Sequence, residues 1–599
     1  MFHETAVSEN LNIRSRITVL LKGAVSASGC ETDPSKIGVS HPESNIYGDF
    51  TTNIALRLRG GKQLANTIVE SAEQSSLVSK LEVAGPGFIN LWLSDKILYQ
   101  ELKSIKTQGD LYGSGKWGEG KKWLIEHTSP NPNKAMHFGH LRNNLIGMTI
   151  ANTWENGGVE VIRDEVDNNR GISIAKLMWG YLKFAAKDES LNPSLDYWYE
   201  HKDEWKTPTE LGIKPDYFVD NLYVKASNVM ESNQEVERQI RQMVVDWENG
   251  DKKTRELWKK ALSYSYEGQE LTLKRLGNKW DYVWKESDHY NEGKDLVNKG
   301  LKLGIFRNGD NGTVLTNLSK QGLTDTVALK SDGTSLYLTQ DLALTNKKIE
   351  KFHPDRLFWV IGPEQSLAMK QLFATCELLG IGKKETMTHL PYGFVYVKGS
   401  GKMSSRTGNA VFIDTLLDLA KESAKKMITN PNIKQEEKDK IAEIVGVGAI
   451  KYSILKVSRM QDVEVNPAEA VSLEGNSGPY IQYTYARIQS ILRKSGLDSK
   501  DLNMDEIPGN LTLEESAIMR LIYRFPEVTE DAGLNYEPSL ICSFIFELAR
   551  KYNNFYGNCN ILGIEDKSRK NFRLLLSVTV GQVLKNGLSL LGIDTVNEM

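Results

Sequence analysis

Hydrophobic positions in the middle of the chain alternate between short continuous runs and helical repeats. The run KWLIEH (122–127) predicts a buried strand, and a loop rich in proline and asparagine follows it. After this loop the apolar residues recur with the spacing of a helix, at Leu141, Leu145, Met148 and Ala151. Gly157-Gly158 is expected to end the helix, and VEVIRDEV (159–166) predicts a second strand.

Two later apolar runs continue this pattern. RLFWVIG (356–362) and FVYVKG (394–399) each predict a further buried strand. Because strands and helices alternate along this part of the chain, the pattern predicts an α/β domain with a Rossmann-like, doubly wound, mostly parallel sheet.

The pattern differs on either side of this domain and inside it. The first part of the chain contains EVAGPGFINLWLS, a Gly-Pro-Gly turn followed by an alternating strand, and predicts an α+β domain. Residues 185–275 are charged, rich in tryptophan and tyrosine, and helical in pattern, which indicates an insertion. From about residue 455 no strand pattern is evident, and amphipathic segments predict an all-α bundle. The predicted domains are 1–110, 111–400 with the insertion, 401–454 and 455–599.

Composition narrows the class of protein only a little. The length of 599 residues suggests about four domains, and a net charge of −3 means that any nucleic acid would bind a local patch. The four cysteines are far apart and form no CxxC pair, which argues against a zinc ribbon and favours a reducing compartment. Neither a signal peptide nor an apolar run of membrane-spanning length is evident, so we expect a cytoplasmic protein without membrane contact.

Candidate chemistry begins in SPNPNKAMHFGHLRN (129–143). His137 and His140 lie where the loop after the first strand enters a helix, and unpaired N–H groups at such a junction bind anions. The imidazoles can donate hydrogen bonds to a phosphate, and Gly139 lets a flat ring such as adenine approach the backbone. Two other interpretations stay open: a metal site, for which no third ligand of suitable spacing follows, and structural histidines.

A second phosphate-handling element strengthens the first interpretation. GSGKMSSRTGN (399–409) follows a predicted strand and combines glycines with a lysine, two serines and an arginine. Such a loop could close cations and hydroxyls over a polyphosphate. An exposed basic loop is the alternative, but two such elements on one sheet, in this order, favour a nucleotide site.

These motifs resemble those of a known family. HFGH resembles the HIGH motif, and KMSSR the KMSKS motif, of class I aminoacyl-tRNA synthetases. The surrounding sequence resembles arginyl-tRNA synthetases over nearly the whole chain, in the segments YGDFTTNIAL, GPGFIN, EHTSPNPNKAMHFGHLRN, DGTSLYLTQDLAL, VIGPEQSLAMKQLFATCELLG, GAIKYSILK, EGNSGPYIQYTYARIQSIL and LLGIDTVNEM. The resemblance implies an enzyme of translation that activates arginine with ATP to arginyl-adenylate and transfers it to the 3′-terminal ribose of tRNA(Arg).

The substrate can also be argued from residue chemistry. A guanidinium has five donors and no acceptor, so its pocket needs a carboxylate. Tyr337 and Asp341 are four residues apart and share one face if LYLTQD is helical, although an exposed Asp and a core Tyr would show the same spacing. The resemblance assigns both to arginine binding and adds Glu126, Asn131 and Gln365, for which cap or turn roles are the alternative.

The resemblance also implies an ATP site. It assigns His137 and His140 to the phosphates, Gly139 to adenine, Lys402 to pyrophosphate, and Met403, Ser404 and Ser405 to the ATP loop. Mg²⁺ is expected on the β- and γ-phosphates, with no dedicated protein metal site. Ser405 stands in place of the second lysine of KMSKS, and Lys134, just before HFGH, is expected to compensate as a catalytic residue.

Three further positions depart from the family pattern. Arg170 and Ser173 replace a usual Trp and Gln, and Ala368 replaces a usual His. These changes indicate a divergent branch and affect the expected contacts to adenosine and arginine.

The C-terminal helices are the predicted site of contact with tRNA. Aromatic and cationic residues occur together there, and stacking on unpaired anticodon bases is assigned to Tyr480, Tyr483, Arg487 and Tyr556. Aromatic residues at helical spacing are also typical of a core. By resemblance, residues 1–110 contact the tRNA elbow, and the protein is a monomer.

Two other functions stay open. A class I synthetase for a different amino acid would share the nucleotide motifs, but the pairing of Tyr337 with Asp341 favours a basic substrate. A tRNA-binding protein that has lost catalysis would share the domains, but the presence of both histidines and Lys402 argues against it.

Overall fold

The structure is a computed structural model that describes residues 11–30, 33, 37–72, 75–290, 292–331, 333, 336–398, 412–497, 502 and 508–599. The chain divides into two compact units. The terminal unit comprises residues 1–115, 429–433 and 472–599, and the central unit comprises residues 116–428 and 434–471.

The terminal unit begins with an α+β segment. Within the described residues, four strands form an antiparallel sheet in the order β1-β2-β4-β3. The turn before Phe88 and the strand after it occur where the Gly-Pro-Gly pattern predicted them. The elements are α1 (Ile13–Ala27), β1 (Val39–Ser40), β2 (Phe50–Thr52), α2 (Ile54–Arg57), α3 (Gly61–Ala72), β3 (Val78–Ala84), β4 (Phe88–Leu93) and α4 (Asp95–Gln108).

The central unit contains the α/β fold that the hydrophobic pattern predicted. Its elements are β5 (Lys122–Glu126), α5 (Phe138–Asn156), β6 (Glu160–Asp167), α6 (Ile172–Phe184), α7 (Leu195–Glu200), α8 (Pro208–Leu211), α9 (Pro215–Ser232), α10 (Gln234–Glu248), α11 (Lys252–Leu276), β7 (Tyr282–Lys285), α12 (Gly293–Lys302), β8 (Phe306–Asn308), β9 (Val314–Thr316), β10 (Val327–Leu329), α13 (Tyr337–Phe352), β11 (Arg356–Val360), α14 (Ser366–Leu379), β12 (Met387–Leu390), β13 (Val395–Val397), α15 (Ile413–Met427), α16 (Gln435–Leu455), β14 (Val463–Val465) and α17 (Pro467–Ala470).

The main sheet of the central unit is parallel throughout the part of the chain that the structure describes, with the order β12-β11-β5-β6-β7. Strands β5 and β11 are buried after their first residue, as expected where both faces of a sheet are covered. The chain leaves β5 toward β6 on one side and later returns to β11 on the other. In such sheets the ligand crevice lies at this reversal, outside the carboxyl ends of the strands.

One strand prediction was wrong in its placement. FVYVKG does contain a strand, but β13 pairs with β14 in a separate two-stranded parallel sheet and not with the main sheet. Strand β14 also lies beyond residue 455, where no strand was expected. Three residues are too few to identify a strand from sequence. Val463 and Val465 are buried and Glu464 between them is exposed, but this alternation can be recognised as a strand only when its partner β13 is known.

The insertion is helical, as its composition predicted. Helices α9, α10 and α11 pack with α6 around one apolar core, which contains the aromatic residues that made this segment unusual. Trp198, Trp205 and Tyr181 are among its fully buried side chains. This core places α11 beside the carboxyl end of the main sheet, where Tyr266 donates a hydrogen bond to Asp167.

The terminal unit ends in the predicted helices: α18 (Gly478–Ser495), α19 (Leu513–Ile522), α20 (Phe525–Asn535), α21 (Ser539–Asn558) and α22 (Lys567–Leu590). Their core includes an ion pair, because buried Glu515 accepts hydrogen bonds from Arg573 at 2.7 Å and Arg569 at 3.1 Å. Across the described ranges, no helix is both long and apolar enough to cross a membrane.

Candidate active site

The turn that follows β5 is strained. Thr128 has a φ of 71°, which is unfavourable for a β-branched residue and costs about 1–3 kcal/mol. Two asparagines of α5 hold it there: Asn143 Oδ1 accepts from the Thr128 N–H at 2.7 Å, and Asn144 Nδ2 donates to Thr128 Oγ1 at 3.2 Å. The start of α5 and the end of β5 are thereby fixed to each other.

The two histidines form a reciprocal cap at the start of α5. His137 Nδ1 accepts from the Gly139 N–H, and His140 Nδ1 accepts from the His137 N–H, each at 3.2 Å. The rings stack with centroids 4.0 Å apart. A side chain at Gly139 would place its Cβ 3.2 Å from the ring of His137, so glycine leaves room for this stack. The histidine pair therefore caps the helix, which is the structural role considered as an alternative in the sequence. The cap also determines which ring nitrogen of each histidine is left to bind a ligand.

Both histidines are neutral donors at physiological pH. Burial and nearby Lys134 lower the pKa of His137 to about 4, and burial, His137 and Lys134 lower the pKa of His140 well below its ordinary value. Because each Nδ1 accepts a backbone hydrogen bond, the proton of each neutral ring lies on Nε2. Each ring thus has one N–H donor that can bind an anion.

The predicted ATP loop, residues 399–409, lies outside the described residues. Lys402, Met403, Ser404 and Ser405 therefore lie outside them too. The chain after this loop is anchored to the histidine segment, because Phe412 pairs with His137 as an isolated β-bridge and the Ile413 N–H donates to the Met136 carbonyl at 3.1 Å.

Arg142 anchors the chain before this loop and was missed in the sequence. It is 1% exposed, and its guanidinium donates to the carbonyls of Phe394, Ser458, Arg459 and Gln461, which border β13 and β14. The available signal in the sequence was an arginine among the apolar residues of a predicted helix. The helix that carries HFGH therefore binds the strand that leads into the KMSSR segment.

Helix α13 brings the predicted guanidinium site together. Tyr337 is its first residue and Asp341 lies one turn later, so the two share a face as the spacing required. Tyr337 is 83% exposed, which rules out the core-tyrosine alternative. Asp341 is exposed, but the neighbouring protein reduces the hydration of its carboxyl group. This desolvation, together with nearby Glu126 and Glu286, raises the pKa of Asp341 to about 7. A carboxylate in this environment is stabilised by an arriving cation.

Glu126 belongs to a buried ion-pair cluster that the sequence did not reveal. Lys348, which is fully buried on α13, donates to Glu126 at 2.6 Å and lies 2.9 Å from Asp164 of β6. Trp284 Nε1 also donates to Asp164, at 2.8 Å. The cluster joins the helix that carries Asp341 to the carboxyl ends of two central strands.

The other two predicted arginine-site residues lie on loops at the same edge of the sheet. Asn131 is exposed after β5, and its Oδ1 accepts from Asn168 Nδ2 at 3.2 Å. Gln365 is exposed immediately before α14, in the loop after β11. Because β5 and β11 are parallel neighbours, both loops border the crevice.

Arg170, which departs from the family pattern, is held by three neighbours. Its guanidinium lies 4.1 Å from the ring centroid of Tyr290 and pairs with Glu286 and Glu248. Ser173 is half-buried near the start of α6, and Ala368 is exposed in the first turn of α14; no contact of either side chain explains its replacement.

In the terminal unit, three of the four predicted tRNA residues lie together. Tyr483, Arg487 and Tyr556 line an open cavity of about 630 Å³ that is also lined by Arg493 and Lys494. The Arg487 guanidinium lies 4.9 Å from the Tyr483 ring and 4.8 Å from the Tyr556 ring. Tyr480 is half-buried and packs against Phe546 instead.

Among the residues that the structure describes, no group of three or more His, Cys, Asp or Glu side chains is arranged to hold a metal ion. The two histidines of HFGH use their Nδ1 atoms on the backbone, which leaves them no pair of converging acceptors for a cation.

Comparison with protein-family profiles covers most of the chain. Residues 101–466 match the profile of the class I (R) tRNA synthetase catalytic domain. Residues 481–599 match the DALR anticodon-binding domain, and residues 12–93 match the N-terminal domain of arginyl-tRNA synthetases.

Similar proteins and structures agree with these profiles. An arginine–tRNA ligase of Phocaeicola vulgatus is 32% identical over 628 aligned positions, covering 98% of this chain and 100% of the relative. One of Flavobacterium psychrophilum is 34% identical, covering 90% of this chain and 89% of the relative. The fold is similar to arginyl-tRNA synthetase structures from Thermus thermophilus (TM-score 0.78, 24% identity, 98% of this chain and 100% of that chain) and Plasmodium falciparum (TM-score 0.77, 19% identity, 98% and 99%).

Proposed function

The chain belongs to the arginyl-tRNA synthetase family and is an arginine–tRNA ligase, and from that premise we propose which of its residues perform the reaction. It activates arginine with ATP and transfers the arginine to tRNA(Arg). The two alternative functions, a synthetase for another amino acid and a tRNA-binding protein without catalysis, are therefore set aside.

Asp341 is the residue that we propose recognises arginine. Asp341 is exposed one helical turn from exposed Tyr337, and its pKa is raised first by desolvation and then by nearby Glu126 and Glu286, whose negative charges call for a compensating cation. A guanidinium can supply that compensation through two parallel hydrogen bonds, and the Tyr337 hydroxyl is a further acceptor. Glu126, Asn131 and Gln365 border the same crevice and are proposed to hold the α-amino and carboxylate groups.

For ATP, we propose that His137 and His140 donate from Nε2 to the phosphates and that Gly139 lies against adenine. Neutral donors orient the phosphates, while positive charge is supplied by Lys134 and Lys402. Adenylate formation needs this positioning and charge more than it needs covalent help from the protein. Met403, Ser404 and Ser405 are proposed to complete the ATP loop.

Mg²⁺ is proposed to arrive with ATP on the β- and γ-phosphate oxygens. The Nδ1 atoms of His137 and His140 accept backbone N–H groups, so each ring offers its Nε2–H as a donor, which suits phosphate oxygens that are shared with a cation.

We propose that Tyr483, Arg487 and Tyr556 bind unpaired anticodon bases, with Tyr480 as a supporting residue. We also propose that the N-terminal domain contacts the tRNA elbow and that the protein is a cytoplasmic monomer. The proposed domains remain 1–110, 111–400, 401–454 and 455–599.

The first experiment is arginine-dependent ATP–pyrophosphate exchange, with and without tRNA(Arg), for wild type and Asp341→Asn. Because an amide cannot compensate a guanidinium, the variant should raise the KM for arginine about 100-fold or more, as expected when a charged hydrogen-bond partner is lost. The KM for ATP should stay unchanged.

Asp295→Asn is the matched control, because Asp295 is exposed in the first turn of α12 and the substitution is the same. An unchanged KM for arginine in Asp341→Asn would contradict the assignment of Asp341. Absence of exchange in the wild type under both conditions, with intact tRNA binding, would contradict the catalytic function.

A further inference from the structure

Helix α11 of the insertion carries a polar row that contacts the catalytic segments. The row consists of Tyr266, Gln269, Thr272 and Arg275, which follow one another every third residue and wind partway round the helix. Gln269 and Thr272 are buried, at 5% and 0% exposure. Polar side chains are expensive to bury unless they are hydrogen-bonded, so their partners indicate why they are there.

Gln269 holds the loop that precedes HFGH. Its Nε2 donates to the carbonyl of Asn131 at 3.2 Å and to the carbonyl of Lys134 at 3.1 Å. A second insertion helix contributes to the same loop, because Asp220 of α9 accepts from the Ala135 N–H at 3.3 Å. The backbone on both sides of Lys134 is therefore held by the insertion.

The next residue of the row holds the helix that follows the KMSSR segment. Thr272 Oγ1 donates to Asp414 Oδ2 at 2.6 Å, and Asp414 is the second residue of α15. Arg275 also donates to Asp414, at 3.0 Å, and Lys214 of the insertion lies 2.9 Å from it. The adjacent Ile413 N–H binds the Met136 carbonyl, so the loop and α15 are joined to each other as well as to α11.

We propose that Gln269 is a positioning residue for arginine activation, and that the polar row of α11 fixes the HFGH loop and the start of α15 relative to each other. The inference deepens the proposed function and rests on it, because Gln269 acts through Lys134. It assigns a role to an insertion whose sequence alone suggested none. Gln269 is not expected to touch ATP or arginine itself.

The test is Gln269→Met, which keeps the length of the side chain but removes both donors. If the loop moves by about 1 Å, the kcat of tRNA-dependent ATP–pyrophosphate exchange should fall about 10- to 100-fold. The KM for arginine should change much less than kcat, because α13 carries the proposed guanidinium site, although Gln269 also holds the carbonyl of Asn131. Gln371→Met is the matched control: Gln371 is 6% exposed and donates to the Thr324 carbonyl at 2.8 Å, and its kcat should equal that of the wild type.

A double-mutant cycle with Lys134→Ala separates positioning from a general loss of stability. If Gln269 acts through Lys134, Gln269→Met should lower kcat in the wild type and have little further effect in Lys134→Ala. An unchanged kcat, or the same loss in both backgrounds, would overturn the inference while the role of Lys134 stands. If Lys134→Ala itself keeps the wild-type kcat, the proposed role of Lys134 is wrong and the inference is overturned with it.

Should Gln269→Met fail to fold, Thr272→Val gives the second measurement. This near-isosteric change removes the hydroxyl between α11 and Asp414, and the inference requires a lower kcat with an unchanged KM for arginine. A wild-type kcat in Thr272→Val would then overturn the inference that α11 fixes the HFGH loop and the start of α15 relative to each other.

Discussion

In the role proposed for it, Asp341 must be charged to bind a guanidinium, but its surroundings favour the neutral form. Desolvation and the nearby carboxylates of Glu126 and Glu286 raise its pKa to about 7, although Lys348 acts in the opposite direction. Near neutral pH Asp341 should therefore be protonated more often than an ordinary aspartate. Arginine binding should release that proton, because the bound cation lowers the pKa.

This linkage predicts a pH dependence for arginine recognition. Below pH 7 the carboxyl group is increasingly protonated, so the KM for arginine should rise about tenfold for each unit of pH, and above pH 8 it should level off. Exchange assays from pH 5.5 to 8.5 at saturating ATP and tRNA measure the profile. A flat KM between pH 6 and 8 would contradict it, and Asp341→Asn should lose the dependence.

Single residues could be predicted where a short motif fixes both type and spacing. The four-residue step from Tyr337 to Asp341 predicted a shared face if the segment is helical, as it is, and the family resemblance was needed to assign both residues to arginine. Lys348 could not be found in this way, because its partners Glu126 and Asp164 are 222 and 184 positions away along the chain and meet it only after the sheet forms. Similarly, nothing local marks Gln269 as a ligand of two distant carbonyls.

At the scale of elements, Lys348 connects α13 to β5 and β6. Replacing it with methionine would leave Glu126 and Asp164 as uncompensated buried carboxylates, which costs about 3–5 kcal/mol of unfolding free energy. Desolvation already raises the pKa of Asp164 although Lys348 opposes this effect. Without the lysine Asp164 should take up a proton more easily, so the loss of stability should be larger at pH 8 than at pH 5.5.

Urea unfolding of Lys348→Met at the two pH values measures this difference. Lys347→Met is the control on the same helix, because Lys347 is partly exposed and pairs with Glu292 at the surface, where an ion pair contributes about 0–1 kcal/mol. Equal losses in the two variants, or a larger loss at low pH, would contradict the role of the buried cluster.

Elements with a clear hydrophobic period could be predicted, and those stabilised by a partner could not. Strands β5 and β11 have short continuous apolar runs, as expected where both faces of a sheet are covered. Strands β13 and β14 have three residues each, and their pairing joins segments 68 residues apart. A local pattern could therefore suggest that β13 exists but could not show which sheet contains it.

At the scale of the whole molecule, a net charge of −3 conceals a local cluster of cations. Arg487, Arg493 and Lys494 line the cavity of the terminal unit together with two tyrosines and Glu598, which lies 3.3 Å from Arg493. Arg487 lies between these rings and donates to Asn553 Oδ1 at 2.5 Å, so its guanidinium plane is already oriented before a ligand arrives. Overall charge could not predict this site, whereas the occurrence of aromatic residues beside cations in the C-terminal helices suggested it.

Arg487→Ala should weaken tRNA binding without changing the chemistry. Loss of one stacking partner is worth about 1–3 kcal/mol, so the KM for tRNA in aminoacylation should rise about tenfold or more. The kcat at saturating tRNA and the KM for arginine should stay unchanged, since the activation site lies in the other unit. Arg238→Ala on α10, an exposed arginine paired with Glu235, is the control and should leave the KM for tRNA unchanged.

Arg487→Lys distinguishes stacking from simple charge. Lysine keeps the positive charge but has no flat group to lie between Tyr483 and Tyr556, so a stacking role requires that this variant also raise the KM for tRNA. Full retention in Arg487→Lys together with loss in Arg487→Ala would assign Arg487 to a phosphate contact. An unchanged KM in both variants would remove the cavity from the tRNA-binding surface.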